Sequence, residues 1–338
     1  MKYLWPCAYK FVNRQSVFNL KKVLKIISVI ILAVVAFFVI QNYPFGSDAK
    51  PLPRLTDTSH LRKCLNLVTN TSKPRTWDNT DILDTVASRI ETEFRLYTNR
   101  VSVQRFKAGN NEYKNVIASF GPEGGSRIII GAHYDVCGNQ QGADDNASRV
   151  AGILELAGHL KDKPLKYRID LVAYSLEDPP YFNTENMGSY VHAKSLYDNK
   201  VPVAGMISLE MIGYYSDEEN LQEYPLGFLK WVYGNKGDFI TIVRKSVSGD
   251  FANKYSKIAF DSNSISTKSF RAASFLGGID LSDHRNYWHF GYSAIMITNT
   301  SFYRNHNYHT GNDQLYTLDI SRMALVIDGI YRTITALN

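Results

Sequence analysis

The spacing of apolar positions changes several times along the chain, and each change marks an element. Residues 23 to 40, VLKIISVIILAVVAFFVI, are apolar with the single interruption of Lys25. At 1.5 Å per residue this run reaches roughly 27 Å, about one hydrocarbon core of a bilayer. From Gln41 to about Thr76 the pattern dissolves, with Pro44, Pro51, Pro53 and Pro74 set among Ser, Thr and Asn. That composition predicts a stalk over 41–76, with a first short element around His60 to Val68. Ile82, Val86, Ile90 and Phe94 then share one helical face over 80–97, and strand-like runs follow at 101–106 and 114–120. A β-branched run after a Gly-Gly turn predicts a buried strand at 126–135. Helical spacing resumes over 147–160 at Val150, Ile153, Leu154 and Leu160. A strand at 167–175, a helix at 188–197 and a strand at 203–211 come next. The stretch from Ile212 to about Leu276 is less periodic; only 239–255 reads as helical, and loops over a site are expected there. A last strand is predicted at 292–300, and a closing helix at 319–337 with Met323, Val326, Ile330 and Ile334 on one face.

Strands alternating with helices at this spacing predict an α/β fold: a single globular domain over 77–338, with a largely parallel mixed β-sheet flanked by helices. A content of 44% hydrophobic and 13% aromatic residues suffices for a substantial core. The net charge of +6 is localised, since Lys2, Lys10, Arg14, Lys21, Lys22 and Lys25 all precede the first acid, Asp48. Subtracting those six from 38 bases leaves 32 against 32 acids, so the body is neutral and no nucleic-acid partner is expected. The same asymmetry orients the apolar run. Residues 1–22 form a basic cytoplasmic tail, 23–40 a transmembrane signal anchor, and the domain lies outside the cytoplasm. The alternative is a secreted protein, the run being a signal peptide cut near Ser47 and Ala49. Cys7 falls on the cytoplasmic side, while Cys64 and Cys137 would meet an oxidising space, where they either pair or stay free.

Acids and histidines recur where strands end. His133 and Asp135 close the 126–135 strand, Asp144 and Asp145 precede the next helix, Glu177 and Asp178 follow 167–175, Glu210 ends 203–211, and His309 lies beyond 292–300. In open α/β sheets ligands gather beyond the carboxyl ends of strands. Mixed imidazole and carboxylate sets suit Zn²⁺, and a bridging carboxylate lets two ions sit about 3.5 to 4 Å apart.

The ordered motifs GAHYD, GADDNAS, a strand ending in paired acids, a strand ending in an acid, and YHTGND at 308–313 resemble the co-catalytic di-zinc exopeptidases of metallopeptidase clan MH. The similarity is to the aminopeptidase Y and bacterial leucyl aminopeptidase branch and spans roughly residues 80–338. It implies two Zn²⁺ per chain, held by His133, Asp145 as the bridge, Asp178, Glu210 and His309. Asp135 would orient His133. Glu177 would act as general base on a water held between the ions, in the hydrolysis of N-terminal residues from a peptide substrate. Tyr308 matches a position that steadies the oxyanion in some relatives, a plain aromatic wall being the alternative. Asp144 is left as a loop acid.

Two acids depart from the common pattern: relatives often carry Glu-Glu where this chain has Glu177-Asp178, and Asp where it has Glu210. Arg149 replaces a usual Gly and reads as surface variation. Asp283 and His284 are given a structural or substrate-side role, His306 is read as solvent-exposed, and His159 and His289 as surface or packing residues. Tyr181, Phe182, Tyr214, Tyr215 and Phe275 are candidates for an apolar pocket. The rival functions are a glutaminyl cyclase or carboxypeptidase on the same fold, and a non-catalytic receptor-like ectodomain. The sequence leaves oligomeric state open.

Overall fold

The computed structural model describes residues 12–273 and 278–337; Lys2, Cys7, Lys10 and Phe275 lie outside the described residues. The chain forms two compact units, Met1–Tyr43 and Pro44–Asn338. The first is the helix α1 (Val12–Asn42). Its stretch Leu20–Asn42 is long and apolar enough to cross a membrane.

The second unit is built on one nine-stranded sheet. Its strands in chain order are β1 (Gly46–Ser47), β2 (Val101–Ala108), β3 (Asn111–Phe120), β4 (Arg127–His133), β5 (Arg168–Tyr174), β6 (Val203–Glu210), β7 (Phe239–Lys245), β8 (Ser266–Ala272) and β9 (Ala294–Thr298). In space they run β1-β8-β7-β9-β6-β4-β5-β3-β2. The centre is parallel, β4 pairing with β5 and β6, and β6 with β9. The β2, β3 and β7/β9 pairings are antiparallel, making the sheet mixed.

Helices cover both faces: α2 (Thr58–Thr69), α3 (Thr80–Phe94), α4 (Ser148–Leu160), α7 (Gly249–Ser262) and α9 (Ile320–Ala336) on one side, α5 (Gly188–Asp198) and α8 (His284–His289) on the other. A short α6 (Leu229–Tyr233) lies in the connection before β7. The side-chain alternation of β4 shows why its run is apolar throughout. Ile128 and Ile130 enter the first core while Ile129 enters the second. The faces predicted on α3 and α9 are buried as expected.

Two expectations change, and the state of the two cysteines, left open above, is decided. The 41–76 stretch is no stalk: Leu61, Cys64, Leu65 and Val68 of α2 are buried in the main core, and Gly46–Ser47 pairs with β8. Its prolines break regular structure without preventing packing, and Asp57 caps α2 by accepting from the Ser59 amide at 2.8 Å. The 239–255 stretch is not one helix, because β7 and α7 abut with only Ser246–Ser248 between them. Phe239, Ile240, Ile242 and Val243 are all buried, and a strand covered on both faces has no period to separate it from a helix. Cys64 and Cys137 are both free thiols.

Candidate metal centre

The functional side chains come from the carboxyl ends of the parallel strands and from the loops that follow them. His133 is the last residue of β4, and its Nδ1 lies 3.2 Å from the Asp135 carbonyl oxygen and 3.3 Å from Asp135 Oδ1. Asp135 also accepts from the Glu177 amide on Oδ1 (3.2 Å) and the Asp178 amide on Oδ2 (3.0 Å), fixing the acid pair after β5. A second buried carboxylate repeats this device. Asp313 accepts from the Asp144 amide at 2.8 Å and the Asp145 amide at 2.9 Å. The chain turns sharply at these exits, with Leu176 (φ 62°), Met211 (φ 47°) and His309 (φ 57°) in the left-handed region. Non-glycine residues enter it at a cost of about 1–3 kcal/mol each, which surrounding packing must hold.

The five residues expected as ligands come together. His133 Nε2 lies 3.8 Å from Asp145 Oδ1, and His309 Nε2 lies 3.1 Å from Asp145 Oδ2 and 3.4 Å from Asp178 Oδ1. Glu177 Oε2 is 3.1 Å from His133 Nε2. Glu210 shares a potential metal-binding group with His133 and Glu177, with ligand atoms within 4.8 Å of one another. Asp145 Oδ2, Asp178 Oδ2 and His309 Nε2 are buried with no hydrogen-bond partner, although the carboxylates and the imidazole are in ion-pair contact. Such atoms fit a shared cation better than they fit one another. The electrostatics agree. Burial, opposed by His133, pushes the Glu177 carboxyl up to about 8. Burial and then Asp145 push Asp178 up to about 6, and burial opposed by Arg149 pushes Glu210 up to about 7. More carboxylate is buried here than the local cations balance.

Two sequence readings are corrected. Asp144 is no loop acid: it is fully buried and accepts from the Gly213 amide (2.8 Å) and from Asn299 and Asn305 Nδ2 (2.9 Å each), joining the loops after β6 and β9. Arg149 is not on the surface; it is 0% exposed, and its Nη1 donates to Glu210 Oε2 at 2.6 Å, to Ser282 Oγ at 3.1 Å and to the Leu209 carbonyl. The sequence signal was α4 itself, whose residues are buried nearly all round and leave no exposed face for an arginine.

Other functional candidates had no signal in the sequence. Asn146 Nδ2 lies 2.8 Å from His133 Nε2, and the Asp145–Asn146 peptide is cis. Arg75, from the expected stalk, is buried and donates to the carbonyls of Tyr134, Gln141 and Gly142 at 2.7 to 3.1 Å, clamping the loop after β4. The Cys137 thiol falls within ligand distance of Asp178 and His309. His284 is buried, hydrogen-bonded to the Ile279 carbonyl oxygen at 2.7 Å and held at a pKa of about 4 by burial, in line with a structural role. His306 is exposed.

Beside the cluster lies a cavity of about 90 Å³. Glu210 and Tyr308 form its side toward the cluster, and Leu229, Tyr233, Phe239 and Met296 are among its apolar walls. Tyr308 stacks on His309 with ring centroids 3.7 Å apart. The pocket candidates Tyr181, Phe182, Tyr214 and Tyr215 are not among its lining residues; Tyr181 packs instead against Trp77 and Tyr113.

The chain belongs to peptidase family M28, whose profile matches residues 115–334 and whose members are typically zinc-dependent. The uncharacterized protein YfbL of Escherichia coli K12 is 39% identical over 313 residues, covering 90% of this chain and 95% of that one. Among solved structures, LapB of Legionella pneumophila superposes with a TM-score of 0.65 at 20% identity, over 87% of this chain and 78% of LapB. A leucine aminopeptidase precursor of Bacteroides thetaiotaomicron gives 0.63 at 18% identity, over 84% and 98%. A glutaminyl cyclase of Porphyromonas gingivalis gives 0.61 at 19%, over 85% and 100%. At these identities the likeness is one of fold.

Proposed function

We propose that this protein is a zinc-dependent aminopeptidase, anchored to a membrane by the helix within Leu20–Asn42, with its catalytic unit outside the cytoplasm. One observation carries the reading: Asp145, Asp178 and His309 present partnerless buried atoms beside Glu177, next to an apolar cavity with room for one side chain. A single small cavity suits removal of one terminal residue, and its lining favours an apolar one. The surplus of buried carboxylate suits a substrate bearing a free α-ammonium group.

Asp145, Asp178 and His309 would hold zinc, with His133 and Glu210 completing the expected set. Bound zinc supplies Lewis acidity, which polarises a carbonyl and acidifies water. Glu177 takes a proton from the attacking water as its oxygen bonds to the carbonyl carbon. It returns that proton to the leaving nitrogen as the C–N bond breaks. Asp135 positions both acids through their backbone amides, and Tyr308 walls the cavity beside the reacting carbonyl.

Hydrolysis of leucyl and phenylalanyl chromogenic amides, abolished by chelator and restored by zinc, is the expected result. No turnover in the zinc-loaded protein would refute the reading. A second reading, cyclisation of N-terminal glutamine, is favoured by the Arg149–Glu210 pair, which commits one of the expected ligands to a protein cation. Ammonia release from glutaminyl peptides without aminoacyl hydrolysis would establish it instead. The anchor is tested separately: the full chain should resist alkaline carbonate extraction from membranes.

A further inference from the structure

We infer that the chain holds one tightly bound divalent ion, at Asp145, Asp178 and His309, and that in the other half of the site the positive charge comes from Arg149, ion-paired to Glu210. The inference rests on the zinc-enzyme reading of the cluster and replaces the expectation of two zinc ions per chain. The two halves differ in what faces their ligand atoms. On the side of His309, the imidazole Nε2 is 3.1 Å from Asp145 Oδ2 and 3.4 Å from Asp178 Oδ1, and Asp145 Oδ2, Asp178 Oδ2 and His309 Nε2 make no hydrogen bond to the rest of the protein. On the side of His133, Nε2 is met by Asn146 Nδ2 at 2.8 Å and by Glu177 Oε2 at 3.1 Å, and Glu210 Oε2 is met by Arg149 Nη1 at 2.6 Å.

Arg149 is a permanent charge, because a guanidinium does not deprotonate in proteins. It is 0% exposed, so water does not screen it. The nearby acids Asp283, Glu177 and Asp145 favour its charge, and Asp283 is itself fully buried. An ion coordinated by Glu210 would sit about 2 Å from a carboxylate oxygen. It would therefore lie within a few ångströms of that fixed cation, and at buried sites like-charge repulsion at such distances outweighs its value in water several-fold. The side chain of Glu210 is long enough for its carboxylate to reach the guanidinium.

The test is metal content and affinity, which need no turnover. Purified full chain is titrated with Co²⁺, followed by its visible absorption and by elemental analysis, and with Zn²⁺ in competition. The wild type should bind one ion tightly, with any second at least roughly 100-fold weaker. The tight ion should survive His133→Ala and be lost in His309→Ala. Arg149→Gly should strengthen the second ion at least roughly tenfold. Two ions of matching affinity in the wild type would overturn the inference, as would loss of the tight ion in His133→Ala with retention in His309→Ala. If Arg149→Gly does not fold, the two histidine variants still decide. A protein that binds a single ion but cleaves no aminoacyl substrate would sink the peptidase reading and uphold this one.

Discussion

Asp144 and Asp145 are neighbours in sequence with opposite surroundings. Asp144 spends its oxygens on three hydrogen bonds from two loops, while Asp145 Oδ2 has no partner. Asp144→Ala should therefore lower unfolding free energy by on the order of 3 kcal/mol, since it strands buried donors, yet leave bound metal per folded chain unchanged. Asp145→Asn should do the reverse, which urea unfolding and elemental analysis separate. Glu177→Gln should keep its metal and lose roughly 1,000-fold or more in kcat on an aminoacyl amide, the scale of general-base catalysis. A loss confined to KM would argue that Glu177 binds substrate without transferring protons. The motifs made the acids of this site legible as a group. The resemblance singled out Asp145 over Asp144, but local spacing alone does not, because adjacent side chains are directed by the turn that follows the strand, and Asp313 sets that turn from 169 residues away.

Among the elements, α2 decides where the folded unit begins. Its buried face packs on α4, and His60 adds a polar knot, 2.7 Å from Glu155 and 3.4 Å from Glu93, with Tyr97 Oη at 3.2 Å. Leu65→Ala should cost about 2–5 kcal/mol, as for other fully buried leucines. A chain beginning at Pro44 should fold to a cooperative, soluble unit, whereas one beginning at residue 77 should not, since it lacks both α2 and Arg75. Circular dichroism melts of the two truncations would show it; equal melting temperatures would restore the stalk. The element at His60 to Val68 is legible, but its packing into the core is not, because its apolar face is short and set between prolines. Long faces such as those of α3 and α9 are legible because their period repeats three or four times.

Over the whole molecule, buried histidines set an acid limit. Burial lowers His192 to a pKa of about 4, its Nδ1 lying 2.6 Å from Tyr287 Oη, and lowers His284 to about 4. Both pKa values are depressed on folding, so their neutral forms are compatible with the core at any pH above the ordinary value of about 6.5. As pH falls from 6.5 to 4 the unfolded chain takes up protons that the folded chain refuses. Their contribution to stability therefore drops across that window and levels below it. The site carboxyls, raised on folding, act in the opposite direction, so the histidine share is read as a difference. The gap in unfolding free energy between wild type and His192→Asn should narrow from pH 7 through 5.5 to 4.5; a gap that does not change with pH would remove His192 from the account.

The sequence by itself determined the alternation of strands and helices, the apolar N-terminal run, and the set of acids and histidines at strand ends, because each is written in local spacing. Only the tertiary structure decided that residues 44–76 belong to the folded unit, that Asp144 braces loops, and that Arg149 lies buried against Glu210. These depend on which face of one element meets another, and the partners are tens to hundreds of residues apart. Arg149 and Glu210, 61 positions apart, meet only when the first turn of α4 reaches the end of β6, so a side chain that reads locally as exposed becomes a buried charge.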